Sequence, residues 1–144
     1  MSKLIVSYFA TIAFSGMFNV PKEQYLFCGI CGSVGWSIYK IIQNAGYSVV
    51  IAAFFATLVL TFVCRIFAVI RRMPITVFLI AGIFPLVPGA GIYFTAYYFI
   101  VNDNVQAFVK GLETFKIAMA ISLGIVFVFA LPQSLFHLLG KSDG

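Results

Sequence analysis

The chain has 144 residues, 62% of them hydrophobic and 9% charged, with mean hydropathy +1.09 and a formal net charge of +5. Soluble domains carry roughly 25% charged residues, so this composition excludes an ordinary soluble protein and points to an all-α integral membrane protein. The surplus of Lys and Arg is spread over short connections, its usual place beside membrane ends, and argues for neither nucleic acid nor acidic substrates.

A helix that crosses a bilayer needs about 20 apolar residues. Five runs approach or exceed that length: Ser2 to Asn19, Tyr25 to Gln43, Tyr47 to Cys64, Ile75 to Val101 and Ile117 to His137. Residues 1–144 therefore read as a single membrane domain with spans near 2–19, 25–43, 47–64, 75–101 and 117–137.

The first run has Lys3 ahead of an apolar stretch and Ala13-Phe14-Ser15 as a signal-like triplet, but the apolar run continues past it and cleavage is not expected. Ser7, Thr11, Ser15 and Asn19 recur every four residues, which puts them on one helix face turned toward protein or water. Hydrogen bonding between helices and lining of a pathway are both open to such a stripe. Phe18-Asn19-Val20-Pro21 reads as a helix stop.

In the second run Gly29, Ser33 and Ser37 stand at four-residue spacing beside Gly32 and Gly35, the small-residue pattern that lets helices approach closely. Cys28 and Cys31 form a CxxC pair with no second pair or nearby histidine to complete a metal site, so buried thiols are expected, as for Cys64. No cofactor is expected. In the third run Ala53, Thr57, Thr61 and Arg65 share a face. Arg65 lies near the end marked by Arg71 and Arg72, so snorkelling to the interface is its simplest role; a bidentate contact to a carboxylate is the functional one.

The fourth run carries the sharpest signal, Phe84-Pro85-Leu86-Val87-Pro88-Gly89-Ala90-Gly91-Ile92-Tyr93, in the middle of an uncharged span. Each proline lacks an N–H and clashes with the preceding turn, so a continuous helix would leave carbonyls around Ala81 and Phe84 unbonded. In hydrocarbon each such group costs several kcal/mol. A broken helix follows, with free N–H groups from about Gly89 to Ile92 opening its second half and a positive dipole end aimed at the gap. Gly89 and Gly91 lack a Cβ that would hold a ligand off. Two readings stand: a packed proline kink, or a site for a small carboxylate.

After the span, Asn102-Asp103-Asn104 reads as a turn and helix cap. From Val105 to Lys116 the apolar positions fall on one side, giving a short amphipathic helix at the interface before the last span, with Glu113 paired to a neighbouring lysine. Ala118, Ala120, Ser122 and Gly124 are close-packing positions in the last span, which stops at Leu131-Pro132; His137 reads as interfacial. No paired acids, HExxH or serine–histidine arrangement supports catalysis, so an enzyme is not expected.

Phe18-Asn-Val-Pro21, Gly32-Ser-Val-Gly35-Trp36, Pro74-Ile-Thr-Val-Phe78, the Pro85-to-Tyr93 stretch and Gly111-Leu-Glu-Thr114 together resemble the threonine/serine exporter family, in its small-subunit type equivalent to the C-terminal membrane half of full-length exporters. The resemblance covers nearly the whole chain. It implies a split exporter in which a small chain works with a larger membrane subunit to move threonine, serine or a dicarboxylate such as succinate across the bacterial cytoplasmic (inner) membrane. It brings the substrate carboxylate to the amides of Gly89 and Gly91, with Pro85, Pro88 and Tyr93 shaping the pocket and Thr95, Arg65, Ser7 and Thr11 as outer contributors; half-helix N-termini hold carboxylates in other transporters. A homo-oligomeric channel and a structural subunit stabilising a larger transporter chain are the alternatives. The lysines and arginines lean toward a cytoplasmic C-terminus, with Lys22, Arg65, Arg71, Arg72 and Lys141 on its side.

Overall fold

The computed structural model describes residues 1–140; Lys141 and Asp143 lie outside the described residues. Among these the chain is helical throughout: α1 (Ser2–Met17), α2 (Tyr25–Asn44), α3 (Val49–Arg71), α4 (Ile75–Ile83), α5 (Gly89–Ile100), α6 (Asn104–Ala130) and α7 (Ser134–Gly140), with 3-10 turns at Lys22–Gln24 and Phe84–Leu86. The helices with their leading turn at Lys22–Asn44, and those at Val49–Arg71 and Asn104–Ala130, are long and apolar enough to cross a membrane. The segments Ile75–Leu86 and Gly89–Ile100 form a further span bent by 54°. At 16 residues α1 reaches only about 24 Å, short of a hydrocarbon core of about 30 Å.

Local chemistry sets the ends. Four helices close in the same way, with a left-handed residue just past the end: Asn19 (φ 53°), Gly46 (φ 90°), Arg72 (φ 52°) and Asn102 (φ 58°). In each, the next N–H reaches back five residues, as in Val20 N–H to the Ser15 carbonyl at 3.1 Å and Asp103 N–H to the Tyr98 carbonyl at 2.9 Å. This satisfies carbonyls that would otherwise be orphaned. Ser48 and Asp103 cap α3 and α6 by accepting from Ile51 N–H (3.3 Å) and Gln106 N–H (3.2 Å).

The core lies between α1, α2, α3, α4 and the lower half of α6. Gly32 packs on Thr11 of α1, and Gly35 and Gly82 both pack against Leu60 of α3. Leu86 reaches the same point, so the fourth span breaks at the level where α2 and α3 are at their midpoints. Cys28, Cys31 and Cys64 are buried there as free thiols.

The hydroxyl stripes resolve differently from the interhelical bonding expected. Thr11 and Ser15 donate to the carbonyls of Ser7 and Thr11 one turn earlier, both at 2.8 Å, and Thr57 and Thr61 do the same on α3 at 2.7 Å. Only Ser7 reaches another helix, at 3.5 Å from the Gly32 carbonyl. Asn19 leaves the stripe to form the left-handed cap and is exposed.

The amphipathic segment is not a separate interfacial helix. Val105 to Lys116 runs without a break into the last span, because nothing between Lys116 and Ile117 interrupts the backbone ladder. Its first half pairs with α5, and its second half packs on α3 through Ile117, Ala120, Ile121 and Gly124. Lys110 and Glu113 pair at 3.3 Å as expected.

A Cβ added at Gly124 would sit 3.0 Å from the Phe54 carbonyl oxygen and 3.2 Å from Leu58 N, backbone atoms that cannot rotate away. Gly124→Val should therefore destabilise the fold by roughly 1–3 kcal/mol. Gly89→Ala, where a Cβ meets nothing within 4 Å, should be close to neutral. Unfolding in mixed detergent micelles compares the two.

Candidate functional site

Pro85 and Pro88 act by subtraction. Pro85 has no N–H for the Ala81 carbonyl, and the helix tightens into the 3-10 turn Phe84–Leu86, where Val87 N–H bonds the Phe84 carbonyl at 3.2 Å. The Phe84 carbonyl expected to be orphaned is thus satisfied. Val87 is extended, and Pro88 at φ −77°, ψ 59° makes an inverse γ-turn in which Gly89 N–H donates to the Val87 carbonyl at 2.8 Å.

That turn narrows the set of exposed donors. Gly89 N–H is engaged, and Ile92 N–H bonds the Pro88 carbonyl at 3.1 Å. The N–H groups of Ala90 and Gly91 have no backbone or side-chain acceptor. The donor pair at the head of α5 is therefore Ala90 and Gly91, one residue later than a count from the proline suggests, because the γ-turn takes the first amide.

The break is anchored on one side only. Phe84 stacks on Phe14 at 4.1 Å and 18° and lies 5.3 Å from Phe18, while Leu86 is buried. Pro85 lines a cleft of ≈ 320 Å³ that runs along α1 past Ser7 and Trp36 to Lys3. Beyond the break, α5 buries no residue and packs on α6. There Gly91 meets Thr114, Gly111 meets Thr95, and the Thr95 hydroxyl donates to the Gly91 carbonyl at 2.7 Å. Tyr93 is 64% exposed and stacks along α5 with Tyr97 at 6.5 Å.

The seven residues singled out from sequence therefore fall in three places. Pro85, Pro88, Gly89 and Gly91 cluster at the break, with Tyr93 one turn along α5. Thr95 lies in the α5–α6 groove. Arg65 stands apart, between α3, α6 and α7, and does not snorkel: it is 9% exposed, donates from Nη1 to the Val128 carbonyl, and lies 4.3 Å from the Phe136 ring. The sequence reading missed this because the return of α7 onto α3 depends on Pro132, which also leaves the Val128 carbonyl without its α-helical donor. Trp36 and Thr114 were quoted only as letters of a family pattern; the structure brings Trp36 to the cleft and Thr114 against Gly91.

Residues 3–131 match a family model described as "Threonine/Serine exporter, ThrE". An uncharacterised protein of Haemophilus influenzae is 27% identical over 132 residues, which is 88% of this chain and 44% of that protein. The chain thus spans less than half the length of this relative. No solved structure matches.

Because a Cβ on Gly91 would collide with the Thr114 hydroxyl, Gly91→Ala should destabilise the α5–α6 pair and Thr114→Ala should relieve it. A double-mutant cycle on detergent unfolding should give a coupling of about 0.5–3 kcal/mol, as for residues in contact.

Proposed function

We propose, for a chain that belongs to the threonine/serine exporter family, that it is the membrane subunit of a two-component secondary exporter of small carboxylate-bearing metabolites: threonine and serine, or a dicarboxylate such as succinate. The observation that carries this reading is the interruption at Phe84–Pro88, which opens a helix N-terminus with two unpaired amides halfway through an uncharged span. Donors of that kind are expensive in hydrocarbon and favourable beside an anion. A solute carboxylate accepts from Ala90 and Gly91 N–H, Gly89 leaves room for its approach, and Pro88 and Tyr93 bound the pocket.

The rest of the pocket comes from a larger subunit in the same bilayer. An α5 that buries nothing within the chain, together with a relative more than twice as long, supports a second membrane half covering the α5–α6 face. Movement of α5 about the 54° break, against the fixed bundle of α1 to α4 with α6, supplies the change of access. The bacterial cytoplasmic membrane is the compartment this reading requires. The family is one of exporters, and no enzymatic step is invoked.

Gly89 offers the cleanest test, since its Cβ direction is open and substitution leaves the fold intact. Gly89→Val should reduce threonine or succinate export from cells at least tenfold while the chain still reaches the membrane and co-purifies with its larger subunit. Export at the wild-type rate would remove the binding site from this break and leave the chain a structural role.

A further inference from the structure

A guanidinium remains protonated at any physiological pH, so a buried one needs its charge answered. Arg65 is 91% buried by its 9% exposure, and its contacts are the neutral Val128 carbonyl and the face of Phe136. Neither carries a full negative charge. Among the described residues the one ion pair is Lys110–Glu113, and no carboxylate reaches Arg65. An ionisable residue within a membrane span is a functional-site candidate by default.

The surroundings point the same way. Arg65 lines a cavity of ≈ 440 Å³ whose mouth carries Gln133 and His137, both exposed and both free of side-chain hydrogen bonds among the described residues. Met73 and Ile75, at the turn into α4, also line it. Pro132 builds the arrangement: it ends α6, leaves the Val128 carbonyl with Leu131 N–H (3.2 Å) and room for Arg65, and turns α7 back so that Phe136 covers the guanidinium and packs 5.3 Å from Phe62. Arg65 lies five residues past Leu60 on α3, so the cavity is about 7–8 Å along the helix axis from the level of the break, toward the end carrying Arg71.

We propose that Arg65, with Gln133 and His137 at the rim, is a second carboxylate station on the exporter's path, between the Arg71 end of the bundle and the break at Phe84–Pro88. The inference rests on the exporter reading for the source of its ligand, but not on the amides of Ala90 and Gly91. Arg65 takes the carboxylate by paired N–H donors, and the carboxylate supplies the negative charge that the Val128 carbonyl and Phe136 do not. Gln133 and His137 select what enters. A free carboxylate solute and a lipid headgroup share this anionic chemistry, and the test separates them.

The experiment is saturable binding of radiolabelled succinate and threonine to the full chain in phosphatidylcholine nanodiscs. Wild type should bind at least one of them, Arg65→Gln should lose at least tenfold in affinity, and Gln133→Leu, which leaves the buried arginine in place, should lose severalfold. Gly89→Val should keep the Arg65-dependent binding even where export fails, so the two sites fail separately. Equal affinity in Arg65→Gln and wild type, or no saturable binding by wild type, overturns the station. Displacement of the solute by phosphatidylglycerol assigns the cavity to a lipid headgroup, and a tenfold gain in Asp143→Asn assigns it to the chain's own tail; either overturns the solute assignment.

Discussion

A backbone amide in hydrocarbon must find a partner, and proline is the residue that takes one away. Pro85, Pro88 and Pro132 do this at the points where the chain stops being a simple bundle. At Pro85 and Pro88 the loss is absorbed by a 3-10 turn and a γ-turn, which leave two donors over and turn the chain by 54°. At Pro132 the Val128 carbonyl loses its α-helical donor, keeps Leu131 N–H at 3.2 Å, and takes Arg65 as a second donor, while Phe136 of α7 covers the guanidinium on α3. Helices α1, α2, α3 and α5 end without such consequences, because each closes on itself through a left-handed residue.

The two halves of the chain divide the labour that follows. From α1 to α4 the packing is close, set by Gly32, Gly35 and Gly82 against Thr11 and Leu60, and the hydroxyls of Thr11, Ser15, Thr57 and Thr61 are satisfied within their own helices. Two buried polar atoms on α2, Ser33 Oγ and Trp36 Nε1, are the side-chain groups left without a partner in this body among the described residues. Beyond the break, α5 rests on α6 alone and shows lipid or a partner its aromatic side. A firm bundle, α6 included, joined by a short unpaired hinge to a loosely held α5 has the mechanical form that alternating access needs.

Much of this was legible in the sequence. Composition gives the membrane class, and Pro85-Leu-Val-Pro88-Gly89 gives the break, since no continuous helix accommodates both prolines in an apolar span. Asp103 as a cap, Glu113 with its lysine, and the buried cysteines follow from local rules. What escaped depends on tertiary return. Whether Val105–Lys116 lies apart or continues into the span is decided by packing of α6 on α5 and α3, not by its amphipathic pattern. The environment of Arg65 is fixed by a helix some 70 residues later, so proximity to Arg71 suggested snorkelling where the fold provides burial. The shift of free donors from Gly89 to Ala90 and Gly91 rests on one torsion of Pro88, which residue spacing does not encode.

The account stands on a polar opening halfway through the fourth span. Its most direct measurement is substituted-cysteine labelling along Ala81 to Tyr93 in native membranes, with a charged thiol reagent, in the presence and absence of threonine or succinate. The account predicts labelling confined to the positions around Val87 to Ala90 and slowed by solute. Uniform protection from Ala81 to Tyr93 would mean that neither water nor a carboxylate reaches the break, and would contradict it.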